Sequence, residues 1–192
     1  MKKEAKKVLN TLPDEIWYTQ EPWAGYLLDG DEWRQNQESC ICRFSSLLIY
    51  AMGDYANKAG VDVLKKIECL KAMTQINGII TEVVPHDESD FITLSGGRAK
   101  EHIAIAELYC ELGDALNALD YVEKGTQDAL YYWNNVDKKA FHGYDIKTTP
   151  RNLCWTLWED HLTKSQFDII RNEERFIRCF DELKANSREL KQ

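Results

Sequence analysis

The chain has 192 residues, of which 44% are hydrophobic, and at this length a fold buries about 70% of the surface of the unfolded chain. A net charge of −8 disfavours a nucleic-acid-binding surface, because phosphate neutralisation needs a basic stripe and only residues 2–7 are rich in lysine. No apolar run reaches the roughly 18 residues of a membrane span, and no apolar block follows the basic N-terminus as in a signal peptide. We therefore expect a cytoplasmic protein that does not bind membranes and whose six cysteines are reduced.

The first 29 residues are predicted to precede the main domain rather than to form part of it. A short amphipathic helix is predicted over residues 3–11 and ends at Pro13, where the ring removes a backbone donor. Residues 14–29 are rich in aromatic side chains and are expected to mix a turn with short helical pieces. The remaining residues, 30–192, are expected to form one helical domain.

Two long helices are predicted next. Apolar residues recur at steps of three and four from Gly30 to Ala59, and Gly60 ends that helix. Asp62 is placed to cap a second helix over 63–84, which Pro85 stops. The apolar positions of the first helix are Trp33, Cys40, Phe44, Leu47, Leu48, Ala51 and Tyr55.

The stretch from Ala99 to Ala129 predicts a pair of helices joined by a tight turn. Gly113 supplies the backbone freedom that ends the first helix, and Asp114 is placed to cap the second, which is expected to reach Asn134 or beyond. Small residues stand where two helices must approach closely: Ala106, Ala118 and Gly125. The order of small residue, aromatic, Leu-Gly-Asp and alanine resembles a tetratricopeptide repeat, a unit of about 34 residues.

The segments around this pair are predicted from their turn residues. Residues 86–97 are expected to form a polar loop, with Ser95-Gly96-Gly97-Arg98 as the entry to the next helix, and 138–149 a second loop. Thr149-Pro150 predicts the start of a helix that carries leucines and two tryptophans. Asn172 is expected to cap the last helix, whose buried face is Phe176, Cys179, Phe180 and Leu183.

Three segments together resemble the C-terminal helical domain of bacterial XRE-type (Cro/cI-like) transcriptional regulators, over roughly Leu12 to Lys184. They are LLDGDEWRQNQESCICR, AELYCELGDALNALDYVEKG and QFDIIRNEERFIRCFDELK, in this order. The resemblance implies an all-α, tetratricopeptide-like stack of antiparallel helix pairs. The residues before Pro13 are too few for a DNA-reading helix-turn-helix, so the chain alone is expected not to bind DNA.

In such a stack the first helix of each pair lines the concave surface. The register of the repeat therefore predicts that Lys100, Ile103, Glu107 and Glu111 face a groove that holds a protein or peptide ligand. The acidic surroundings favour a basic ligand. A solvated helix face is the alternative reading of these residues.

The remaining clusters favour structural explanations over chemistry. Cys40 and Cys42 lack the further ligands of a zinc site, and Ser95–Arg98 lacks the lysine of a phosphate loop. The adjacent pairs Glu101-His102 and Glu159-Asp160-His161 are interpreted as solvated. His142 and Tyr144 fit a surface loop, and the six tryptophans fit a core better than a ligand-stacking surface.

We therefore expect no catalysis, no cofactor and no metal. The favoured function is a ligand-sensing and protein-interaction domain of a transcriptional regulator, with a possible homodimer. The alternative is a free-standing tetratricopeptide-type adaptor that binds a partner protein or peptide.

Overall fold

The computed structural model describes residues 30–83, 88–136 and 151–188. These residues form helices and turns and no β-strand, which confirms the all-α class for this part of the chain. The expectations for residues 1–29, for the loop at 138–149 and for Thr149-Pro150 lie outside the described residues. The helices are α1 (Gly30–Asn57), α2 (Val63–Val83), α3 (Glu88–Glu111), α4 (Ala115–Val136), α5 (Leu153–Trp155) and α6 (Glu174–Ala185).

The boundary between α1 and α2 follows the sequence prediction closely. Gly60 has a φ of 84°, a left-handed conformation that glycine adopts without strain. Asp62 caps α2, since its Oδ1 accepts hydrogen bonds from the backbone N–H of Leu64 at 2.9 Å and of Lys65 at 3.3 Å. Gly53 of α1 lies beside Met73 of α2, so the two helices pack side by side.

The predicted polar loop at 86–97 is wrong for its described residues, because α3 already begins at Glu88. Gly96 and Gly97 therefore lie within the helix and are not its entry. Each glycine costs a helix about 1 kcal/mol relative to alanine. Packing of the later turns of α3 between α2 and α4 stabilises the helix and offsets this cost.

The hairpin of α3 and α4 forms as the sequence predicts. Gly113 has a φ of 75°, and the Asp114 Oδ1 accepts a hydrogen bond from the backbone N–H of Asn117 at 3.1 Å. Ala106 and Ala118 are fully buried where the helices cross. At Gly125 the backbones are so close that a Cβ atom would lie 2.8 Å from Ile103 Cδ1.

The C-terminal segment, residues 151–188, is less regular than the two helices that were predicted there. Asn152 caps α5 by accepting a hydrogen bond from the backbone N–H of Trp155 at 3.0 Å. The helix then widens into a π-helical segment, Thr156–His161, and a 3₁₀ turn follows at Ser165–Ile169. Asn172 does not cap the last helix, because α6 begins after Glu173 and has no side-chain cap.

The main hydrophobic core joins α2, α3, α4 and the C-terminal segment, and none of its buried members comes from α1. The predicted face of α6 is confirmed, since Phe176, Cys179 and Leu183 are buried and Phe180 packs against them. In the described part of the chain no helix is long and apolar enough to cross a membrane.

Candidate functional site

The four residues predicted to line a groove do not share one surface. Lys100 and Glu111 are exposed on α3, and Glu107 is half-buried. Ile103 is fully buried in the core, where it packs against Gly125 of α4. The placement of Ile103 in a groove is therefore wrong: the small residues on α4 create a space that a large apolar side chain of α3 fills.

Glu107 belongs to an ion cluster that joins α3 to the C-terminal segment. Its Oε1 accepts a hydrogen bond from Lys164 Nζ at 2.7 Å and lies 3.2 Å from His161 Nδ1. Burial raises the pKa of the Glu107 carboxyl, but the bonds from His161 and Lys164 outweigh burial and leave the pKa lowered. Glu107 is therefore held by the chain itself, and we expect that reversing its charge would cost stability.

The π-helical segment places His161 in this cluster. The backbone N–H of Leu162 bonds to the carbonyl of Leu157 at 3.0 Å, five residues earlier, which rotates the following side chains relative to an α-helix. Arg171 then fixes the turn by donating to the carbonyl oxygen of Lys164 at 2.7 Å. The interpretation of His161 as a solvated residue is therefore wrong.

A second polar cluster lies between α2, α3 and α4. Asp128 pairs with Arg98 at 2.6 Å and with His102 at 3.0 Å. Burial raises the pKa of the Asp128 carboxyl, but its bonds to His102 and Arg98 prevail and the pKa is lowered. Glu101 accepts a hydrogen bond from Asn77 at 3.4 Å, and burial raises the pKa of its carboxyl to about 7. Glu101 and His102 are thus partly buried, not solvated as predicted.

An aromatic and cationic group continues this cluster towards the turn of the hairpin. Lys71 Nζ of α2 donates to the Tyr109 hydroxyl at 2.7 Å, and the rings of Tyr109 and Tyr121 stack at 5.7 Å. Lys124 Nζ lies 4.4 Å from the centre of the Tyr121 ring. These contacts tie α2 to the hairpin, which is a structural role that spacing along the chain does not reveal.

The cysteines of the described residues are disfavoured as nucleophiles. The five cysteines whose side chains are described form no disulfide, and burial raises the pKa of Cys110 and of Cys154 to about 11, which disfavours a reactive thiolate. Among the described residues no group of three or more His, Cys, Asp or Glu side chains is placed to hold a metal ion.

The most unusual surface is on α1. Eight apolar residues lie within one third of its circumference, and all of them except the buried Cys40 have side chains exposed to solvent. Ile41, Phe44, Leu47 and Leu48 are 43–50% exposed, which is high for large hydrophobic residues. We call this surface the α1 apolar face; it consists of Trp33, Ile41, Phe44, Leu47, Leu48, Ala51 and Tyr55.

The sequence predicted the helical periodicity of this face but could not give its exposure. α1 packs against α2, and its contacts with the other described elements are sparse. The buried α1 residues that the structure describes, Cys40 and Ala56, are small, and Cys40 lies among the residues of the face, whereas the large residues of the face stay exposed. A residue pattern that usually marks the core therefore lies on the outside.

Comparison with known proteins found no matching family model, no matching curated protein and no matching solved structure.

Proposed function

We propose that the protein is a non-catalytic, ligand-sensing and protein-interaction domain of a transcriptional regulator, built as a tetratricopeptide-like stack of helix pairs. The observation that carries the proposal is the α1 apolar face. Soluble monomers rarely expose contiguous apolar patches larger than a few hundred Å², and larger ones mark sites of association.

The position of the face at the edge of the described helices supports this proposal. In a stack of helix pairs, each unit is covered by its neighbours, and a terminal unit needs a polar outer face to remain soluble. α1 is such an outer element, because its contacts are with α2 and it contributes nothing to the main core. An apolar outer face on such an element is suited to being covered by another structural unit.

The ligand-sensing part of the proposal rests on α3. Lys100 and Glu111 remain exposed and would contact a peptide laid along the helix, whereas Ile103 contributes only to the core. Glu107 adds a link to the C-terminal segment through Lys164. A basic ligand that competed for Glu107 would loosen that segment, which would convert binding into a change of structure.

The regulator is favoured over a free-standing adaptor by the order of the three segments that resemble XRE-type regulators. The two functions make different predictions for the native cell. Phe44→Glu in the native protein should change the transcript levels of a defined set of genes if the domain belongs to a regulator. Leu116→Glu, at a residue of α4 that is 67% exposed, is the matched control and should leave transcripts unchanged.

Association through the face is tested by site-specific photo-crosslinking. A benzophenone amino acid at position 44 should form adducts with a defined protein segment, mapped by mass spectrometry, and the same group at position 116 should not. Absence of adducts at position 44 in cells that express the full protein would overturn the proposed function.

A further inference from the structure

We propose that the α1 apolar face pairs with the same face of a second copy of the chain, with the two α1 helices antiparallel about a two-fold axis near Leu47. This inference rests on the proposed function and names the partner that binds the α1 apolar face.

The spacing of the exposed residues is that of a helix-pairing seam. Ile41, Phe44, Leu48, Ala51 and Tyr55 follow one another at steps of three, four, three and four, and all five are exposed. A repeat of 3.5 residues is the pattern by which two helices interlock their side chains along a shared line. A partner that matches this line must itself be a helix with apolar residues at the same spacing.

An antiparallel arrangement gives complementary contacts. In such pairs each first position of the heptad faces a fourth position of the other helix. Ile41 then lies opposite Ala51 of the second copy, a large residue against a small one, and Phe44 lies opposite Leu48. Leu47 meets its own counterpart at the axis, because an isologous interface brings identical residues together there.

Charge favours this partner over a strongly charged one. The five seam residues from Ile41 to Tyr55 are uncharged, so a charged side chain of a partner that lay against them would lose hydration without gaining an ion pair. In the antiparallel register Glu38 lies opposite Met52 of the second copy. At the ends of the paired helices Arg34 approaches Lys58 of the second copy, which brings two positive charges together. Asp31 and Glu38 offset this repulsion, because their carboxylates lie 3.3 Å and 3.7 Å from the Arg34 guanidinium within the same helix.

The size of the face sets the expected strength of pairing. Its five large side chains from Ile41 to Tyr55 are each about half exposed, so together they offer roughly 400 Å² per copy. Stable interfaces bury about 800 Å² per partner, so a modest dimer is expected, one that dissociates at micromolar concentration.

Sedimentation equilibrium over about 1–100 µM tests the pairing on the full chain. The wild type should dimerise, and Phe44→Glu and Leu48→Glu should each weaken association at least tenfold, because each places a charge in an apolar seam. Leu116→Glu on α4 is the control and should associate as the wild type does. Circular dichroism of each variant separates loss of pairing from loss of fold.

Oxidative cross-linking tests the axis. Leu47→Cys should give a covalent dimer under mild oxidation, whereas the wild type and Leu116→Cys should not.

A chain that remains monomeric at the highest concentration, or association that Phe44→Glu leaves intact, would overturn the second copy as partner. If the chain is monomeric while position 44 still crosslinks to another protein, the proposed function stands and only this inference fails. If position 44 forms no adduct at all, both fail.

Discussion

At the scale of single residues, Gly125 shows how a missing side chain sets the distance between two helices. A Cβ at this position would lie 2.8 Å from Ile103 Cδ1 and 3.1 Å from the carbonyl oxygen of Ala99. Gly125→Ala gains about 1 kcal/mol of helix propensity. We expect the crowding to outweigh that gain and to lower the free energy of unfolding by about 1–3 kcal/mol, measured by urea denaturation.

Gly53→Ala is the matched control for this prediction. Its Cβ would meet only Met73 Cε at 3.4 Å, the end of a flexible side chain. The propensity gain should therefore prevail, and stability should stay the same or rise by up to about 1 kcal/mol. Equal effects of the two substitutions would contradict the close approach at Gly125.

Glu101 predicts a dependence of stability on pH. Its pKa in the folded protein is raised from 4.5 to about 7, chiefly by burial. Between pH 4.5 and about pH 7, the Glu101 carboxyl of the folded state therefore keeps a proton that the unfolded state has released. The stability that this proton confers is present below pH 4.5 and is lost as the pH rises through 7.

Glu101→Gln removes this loss while keeping an oxygen that accepts the hydrogen bond from Asn77. We expect the variant to be more stable than the wild type at pH 8, by on the order of 1–3 kcal/mol, and to lose this advantage near pH 4.5. Thermal unfolding of both proteins across this range measures the difference. Glu111→Gln, on the exposed side of the same helix, should follow the wild type at every pH.

At the scale of the elements, the attachment of α6 to the core separates packing from charge. Phe176 is 2% exposed and contacts the rings of Phe167 and Phe180. Phe176→Ala should lower the free energy of unfolding by about 3–5 kcal/mol, because it removes a buried ring and leaves a cavity.

Arg175, one residue earlier, provides the comparison. It pairs with Asp120 and with Glu123 of α4, both at 2.6 Å, but the pairs lie at the surface, where water screens them. Arg175→Ala should therefore change the melting temperature far less than Phe176→Ala. A larger loss from Arg175→Ala would show that ion pairs, not aromatic packing, hold α6 in place.

The elements also show which parts of the fold a sequence pattern can predict. The hairpin of α3 and α4 was predictable because Gly113, Asp114 and the small residues act locally, and the same is true of Asp62. The start of α3 was not predictable, since packing against α2 and α4 overrides the two glycines that suggested a loop. The π-helical segment was missed because its wider turn has no marker residue.

The candidate surfaces were harder to predict than the helices for the same physical reason. Periodicity places a side chain on a face of its helix, but the neighbouring element decides whether that face is covered. Ile103 was assigned to a groove and is buried, whereas Phe44 belongs to a pattern typical of a core and is exposed. The Glu107 cluster joins residues more than 50 positions apart, which spacing along the chain cannot reveal.

At the scale of the whole molecule, the described helices differ in how firmly they are held. Ile103, Ala106, Val122 and Ala129 of the hairpin are fully buried, while α1 lies outside the main core. Regions with few buried apolar contacts open locally at a smaller free-energy cost than the core does. α1 is therefore expected to open before the hairpin, and α2, which contributes Ile67 to the core, should lie between them.

Native-state hydrogen exchange measures this order directly. In the Phe44→Glu variant at low concentration, where pairing of copies does not protect α1, amides of α1 should exchange fastest and those of α3 and α4 slowest. The slowest amides should report the free energy of global unfolding, because the buried hairpin opens only when the whole core does. Gly125→Ala, which disturbs that hairpin, should then speed exchange in α3 and α4 while leaving α1 almost unchanged. Equal protection of α1 and the hairpin would show instead that the described helices open as one cooperative unit.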